Sequence, residues 1–246
     1  MVRPVTALLS VTGLGKRFGG FVALANINLE IAENERLGLI GPNGSGKSTL
    51  VNCLCGTLRN DQGQVMFGTH ALNGLAAHQR TRLGIARSFQ LPRPFPTLTL
   101  ADNIRVPILY AANVKTGQHA VDPRRRCEEL LDMVGLLAKA GRRPADLTQI
   151  EMRKLELARA MASDPKLLIA DEAMAGLSHQ EVDDILALLL RLNQQGVTIV
   201  MIEHIMRAVL AFSQRLIVLV AGQKIADGNP REVITQPDVV AAYLGS

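Results

Sequence analysis

Nine residues constrain this chain more than any others: Gly41-Pro42-Asn43-Gly44-Ser45-Gly46-Lys47-Ser48-Thr49 fits Gly-x4-Gly-Lys-[Ser/Thr] at every required position. The glycines let a loop wrap so closely that successive N–H groups point at phosphate oxygens. Lys47 supplies a point charge for the outer phosphates, and Ser48 supplies a hydroxyl for Mg2+. Such a loop needs a strand running in and a helix running out, whose positive dipole end faces the anion. Leu37-Gly38-Leu39-Ile40 reads as the buried strand, and Ser48 to Cys55 reads as the helix, stopped by Gly56.

With 246 residues the chain can bury a substantial core. Hydrophobic residues make up 48% of it, yet no uncharged apolar run approaches the ~20 residues of a spanning helix. Met1 to Gly15 lacks the cleavage pattern of a secretory leader, so a cytoplasmic location is expected. Cys53, Cys55 and Cys127 are too sparse for a disulfide frame or a metal site and read as free thiols. The net charge of +5 suits any anionic partner, while an aromatic content of 3% argues against a base-stacking surface for nucleic acid.

Along the chain, Leu8 to Ile31 alternates like an antiparallel pair of strands around Phe18-Gly19-Gly20, where the aromatic ring is either a stacking surface for adenine or a core residue beside a turn. Gly63 to Phe67 is a further strand. Leu91-Pro92-Arg93-Pro94-Phe95-Pro96 cannot continue any regular element, so a boundary follows Gln90. Thr99 to Val114 and Asp122 to Ala140 carry helical spacing, the second with Leu130, Leu131, Val134 and Leu137 on one face and a solvated Arg124-Arg125-Arg126. Glu151 to Ala162 is a helix. Lys166 to Asp171 is an apolar strand ending in Asp171-Glu172, Ser178-x-x-Glu181 is a capping box, and Val197 to Ile202 is a strand ending at Glu203-His204. Leu216 to Ala226 forms a hairpin, and Asn229-Pro230 starts a short helix. Strands alternating with helices imply a doubly wound α/β core whose ligand lies at the carboxyl ends of the strands, where Gly41, Asp171 and His204 all fall.

This set of motifs resembles the ATP-binding subunit of ABC transporters over essentially the whole chain. Phe18 sits at the family's adenine-stacking position, Gly41 to Thr49 is similar to Walker A, Gln90 to the Q-loop glutamine, Asp171-Glu172 to Walker B, Ala175-Gly176-Leu177-Ser178 to the D-loop, and His204 to the switch histidine. The resemblance implies a P-loop NTPase (RecA-like) core with an antiparallel β subdomain, residues 1–90 and 151–246, and an inserted helical subdomain, residues 91–150. It implies ATP and Mg2+ as ligands. Phe18, Gly41, Asn43, Gly44, Ser45, Gly46, Lys47, Ser48, Thr49 and Thr148 would bind nucleotide, and Ser48, Gln90 and Asp171 would hold the metal. Glu172, His204, Gln90 and Lys47 would act in hydrolysis, a reaction catalysed largely by positioning and charge stabilisation.

Ile85 to Gln90, the Pro-rich segment with Thr97 to Leu100 and Asn103, and the ending Pro237 to Gly245 look like the LivG type, which serves importers of branched-chain amino acids, urea and other small solutes. The implied partners are two membrane-spanning permease subunits, a second ATPase and, indirectly, a solute-binding protein, with this chain peripheral on the cytoplasmic face of the membrane. One departure stands out: Leu147-Thr148-Gln149-Ile150-Glu151 occupies the place of the signature Leu-Ser-Gly-Gly-Gln. Ile150 resists the backbone conformations open to glycine, and Glu151 brings a carboxylate toward another anion. An unlike second ATPase with an ordinary signature is therefore expected. The rival readings are a soluble ABC ATPase and a nucleotide-gated dimerisation module, and Glu172 and the Pro-rich segment weigh against them.

Overall fold

A computed structural model describes residues 7–88, 93–112 and 122–244. Its centre is α1 (Lys47–Cys55), which leaves the phosphate loop and lies between two sheets. Leu50, Val51, Cys53 and Leu54 of this helix share one buried cluster with residues of both sheets, among them Leu9, Leu14, Leu24 and Ile27 on one side and Leu39, Ile169, Val200 and Ile217 on the other. Each buried aliphatic side chain of this kind contributes about 1.5–3 kcal/mol.

The first sheet is antiparallel, in the order β2 (Phe21–Ala32), β1 (Ala7–Phe18), β4 (Gln62–Phe67), β5 (His70–Ala71). The alternation of Ile27, Leu29 and Ile31 with Asn28 and Glu30 puts one face on α1 and the other in water, as the sequence predicts. The second sheet runs β10 (Gln223–Gly228), β9 (Arg215–Val220), β3 (Arg36–Ile40), β8 (Thr198–Ile202), β7 (Leu167–Asp171), β6 (Ile85–Ser88). Strands β6, β7, β8, β3 and β9 are parallel, and β10 closes one edge antiparallel to β9. Every residue of β7 and β8 is buried, which is what helices on both faces of a parallel sheet produce. The chain reverses its direction of winding at β3, so the crevice opens at the carboxyl end of this strand, where the phosphate loop begins.

The remaining helices are α2 (Ala77–Leu83), α3 (Leu100–Pro107), α4 (Pro123–Met133), α5 (Gln149–Met161), α6 (His179–Gln194), α7 (Met206–Phe212), α8 (Pro230–Val233) and α9 (Pro237–Leu244). Helices α3, α4 and α5 pack on one another around Leu100, Ile104, Leu130, Leu131 and Leu155. The helix expected over Thr99 to Val114 is not uniform: its α part ends at Pro107, whose missing N–H breaks the ladder, and a π turn covers Ile108–Ala112. The helix expected from Asp122 to Ala140 is shorter too. Gly135, at φ 73°, ends it, and a 3-10 turn follows at Leu137–Lys139. Leu130, Leu131 and Val134 are buried as expected, but Leu137 is 41% exposed because the helical register is lost before it. Arg124 and Arg125 pair with Glu128 and Glu129 on the exposed face of α4. Burial pushes the free thiols of Cys53 and Cys55 up to about 11, in keeping with a packing role.

One buried cation braces α1. Arg80 is 2% exposed, and its guanidinium donates to the carbonyls of Cys53 at 2.6 Å and Leu54 at 3.0 Å, at the negative end of the helix. Arg80→Met leaves those carbonyls unpaired, and the urea midpoint should fall by an amount equivalent to about 2–3 kcal/mol.

Candidate functional site

The loop's close turns are what its glycines allow. A Cβ on Gly41 would stand 2.1 Å from the carbonyl oxygen of Leu219, and one on Gly46, at φ 103°, would stand 2.8 Å from that of Ala23 on β2. Both sheets thus press on the loop, and the Gly222 N–H donates to the Ser45 carbonyl at 3.0 Å from the β9–β10 turn. The first bond inside α1 runs from Leu50 N–H to the Gly46 carbonyl at 2.9 Å, so the N–H groups of Lys47, Ser48 and Thr49 are the helix-end donors suited to an anion. Lys47 folds back over the loop, its Nζ donating to the carbonyls of Gly41 at 2.7 Å and Pro42 at 3.0 Å. Burial holds its ammonium below the usual lysine range, and the carboxylates of Glu172 and Asp171 oppose that shift.

Those carboxylates come from β7. Asp171 ends the strand, and its Oδ2 pairs with Arg87 of β6 at 2.5 Å, while the same guanidinium donates to Asn52 Oδ1 of α1 at 2.7 Å. Glu172 adopts φ 48°. A non-glycine residue in that region is held there by its surroundings. Its N–H donates to the Ile202 carbonyl at 2.9 Å, and its Oε1 lies 3.1 Å from Nε2 of His204. An ionised carboxylate only accepts, so Nε2 carries the proton of that bond.

A cavity of about 260 Å3 gathers these groups: Phe18, Asn43 to Thr49, Glu172 and His204 line it. Asp171 lies behind, held by Arg87. Gly41 shapes the loop without lining the cavity, Gln90 lies outside the described residues, and Thr148 caps α5 away from it. Phe21 was missed by the sequence reading. It faces Phe18 across the two-residue turn, is 64% exposed and lines the same cavity. Arg87 was missed as well, since a lone arginine in a strand carries no sequence signal of its partner.

The structure corrects the reading of residues 147–151. The Glu151 carboxylate accepts from the Thr148 N–H at 3.0 Å and pairs with Lys139 at 2.6 Å. Those bonds, the Lys139 one foremost, hold its carboxyl below the usual range. Thr148 and Glu151 form a capping box, so α5 begins at Gln149, two residues earlier than expected. Ile150 packs partly buried against the apolar cluster beneath α5. Gln149 and Arg153 donate to the Ala175 carbonyl, both at 3.3 Å, tying α5 to the turn after Glu172.

The residues suit Mg2+. Ser48 offers a hydroxyl and Asp171 a carboxylate, and among the described residues no group of three or more His, Cys, Asp or Glu could cage a metal. One carboxylate plus substrate phosphates is the way Mg2+ is commonly held.

Known proteins resemble this chain over most of its length. The family model described as "ABC transporter" matches residues 24–175, and one described as "Branched-chain amino acid ATP-binding cassette transporter" matches residues 223–246. The chain is 38% identical over 252 residues to the high-affinity branched-chain amino acid transport ATP-binding protein LivG of Escherichia coli K12, covering 97% of this chain and 98% of that one. It is 36% identical to BraF of Pseudomonas aeruginosa, a protein of the same description, over 100% of this chain and 99% of that one. Among solved structures, the ADP conformation of the ATP-binding cassette MJ1267 superposes with a TM-score of 0.85 at 29% identity, covering 98% of this chain and 99% of that one. The dimeric post-hydrolysis state of MJ0796, bound to ADP and Pi, gives a TM-score of 0.79 at 28% identity, with 91% and 99% covered.

The site also holds a buried acid. Glu203 is 3% exposed, and burial raises its carboxyl from the usual 4.5 to about 7, against the lowering pull of the Met174 and His204 N–H groups. The folded state therefore binds this proton more tightly than the unfolded one. The linked stability is full below pH 4.5 and is lost as pH rises toward 7. Relative to Glu203→Gln, the parent should lose on the order of 2–3 kcal/mol across that window and stay level above it, as read by thermal melts in a pH series.

Proposed function

Because this chain belongs to the ABC transporter family of ATP-binding subunits, which hydrolyse ATP to power transport, we propose that it drives import of a branched-chain amino acid or a small solute of similar kind. Membrane permease subunits carry the solute. The observation behind the reading is the convergence of Phe18, the phosphate loop, Glu172 and His204 on one cavity, in a chain that the LivG and BraF proteins match nearly end to end.

In this reading Phe18 and Phe21 flank the adenine, and Lys47 with the first N–H groups of α1 holds the outer phosphates. Ser48 and Asp171 hold Mg2+, which when bound neutralises charge on the phosphates being separated. Gln90 joins them on the sequence likeness alone. Glu172 accepts a hydrogen bond from the attacking water and aligns it. His204 keeps Glu172 in place through the 3.1 Å contact and faces the terminal phosphate.

A second groove supports the docking partner. It measures about 390 Å3, is lined by Arg87, Arg93, Phe95, Tyr110, Glu156 and Arg159 among others, and exposes Phe95 by 42% and Tyr110 by 71%. Arg159 covers the Phe95 ring at 5.3 Å and donates to the Arg93 carbonyl at 2.9 Å, which stiffens the Pro-rich entrance. This is the face offered to the permease subunits. Among the described residues no helix is long and apolar enough to cross a membrane, which fits attachment through partners on the cytoplasmic face. Residues 91–150 form the helical subdomain of this reading, and residues 1–90 and 151–246 form the nucleotide-binding core.

The second ATPase is unlike this one. The side chains of Ile150 and Glu151 are committed to this chain's own packing and capping, so its signature segment offers a partner's phosphate chiefly backbone N–H groups. Purification from membranes should recover this chain with two permease subunits and a second, different ATPase. In that complex Glu172→Gln should retain nucleotide and lower hydrolysis at its own site by about 100-fold or more, whereas Lys47→Ala should weaken binding itself. Recovery of the chain alone, or parental turnover by Glu172→Gln, would contradict the assignment.

A further inference from the structure

Three contacts clamp the segment after β7 to the segment after β8. Glu172 N–H reaches the Ile202 carbonyl at 2.9 Å, and Glu172 Oε1 reaches His204 Nε2 at 3.1 Å. The third belongs to Glu203, whose Oε1 accepts from the Met174 N–H at 2.9 Å. Both Glu203 and Met174 are buried, at 3% and 0% exposure. Glu203 directly precedes His204 in the chain, so this one bond ties the backbone beside the switch histidine to the turn that follows Glu172.

The mechanism above makes no use of this carboxylate, and burying it is unfavourable by itself. An apolar side chain at the end of β8 would fill the space at less cost. What the carboxylate adds is a fixed separation between two chain segments, one carrying a strained Glu172 at φ 48° and the other carrying a half-exposed His204. We propose that Glu203 is a positioning residue for ATP hydrolysis: by holding the Met174 N–H from the position next to His204, it keeps Glu172 and His204 in register with each other. This rests on the ATPase reading. Arg153 of α5 and Glu172 are the charged groups nearest it, and Arg153 donates to Ala175 in the same turn, so the clamp is continuous with the helix that carries Thr148.

The experiment compares Glu203→Leu, Glu203→Asp and Glu203→Gln in the complex recovered with the full-length chain, each with and without His204→Ala. Glu203→Gln keeps an oxygen for the Met174 N–H. Glu203→Asp keeps the charge but is one methylene too short to reach it. The Leu and Asp variants should lose about 10- to 100-fold in kcat, with binding of a fluorescent ATP analogue within about twofold of the parent, and Gln should restore most of the rate. In the His204→Ala background the Leu and Asp changes should cost little more, because the group they position is gone. Parental kcat in the Asp variant, an equal loss in Gln and Asp, or losses that multiply with His204→Ala would each overturn the proposal. Should Leu fail to fold, the Asp and Gln comparison decides alone. A parent complex that hydrolyses no ATP would instead sink the ATPase reading, and that is seen before any variant is made.

Discussion

The register between β7 and β8 is the constraint on which the site depends. Asp171 stands opposite Ile202, and the ladder runs one bond further, from Glu172 N–H to the Ile202 carbonyl. That extra bond turns Glu172 into the positive-φ region and brings its carboxylate toward the residue two beyond Ile202, which is His204. A slip of one residue would send Asp171 and Glu172 to each other's sides, since side chains alternate along a strand. Such a slip would also break the Glu172 N–H bond to the Ile202 carbonyl and the Met174 N–H bond to Glu203.

A second dependence runs through α1. Its N-terminus forms part of the phosphate site, so anything that tilts it moves the anion donors. Three parts of the chain far apart in sequence fix its ends and loop: Ala23 of β2 beneath Gly46, the Gly222 turn against Ser45, and Arg80 of α2 at the last carbonyls. The antiparallel sheet is thus more than a cover over the core. It is a wall of the phosphate site and carries Phe18 and Phe21 to its mouth.

Features with a local grammar were legible in the sequence. The phosphate loop, the Ser178 capping box, the hairpin at Ala221-Gly222 and the buried runs of β3, β7 and β8 each rest on residues within a few positions of one another, and the order of strands and helices fixed the α/β class. Features that depend on a distant partner were not legible. Nothing near Arg87 announces Asp171, and nothing near Glu203 announces that Met174 would donate to it. Thr148 and Glu151 are a different case: their spacing equals that of Ser178 and Glu181, so this capping box is legible in the sequence, although the same residues stand in the place of the signature. Leu137 fell outside because one glycine outweighed an otherwise regular period.

Arg87 lines the larger groove and is also the counter-ion of Asp171. The groove and the acidic end of β7 behind the nucleotide cavity are therefore joined by one ion pair. A load pressing on Arg87 from the groove reaches the acidic strand end through that pair, while the 2.7 Å bond to Asn52 moors the same guanidinium to α1. Distance between the two openings on the surface is, for this reason, a poor guide to their mechanical separation inside.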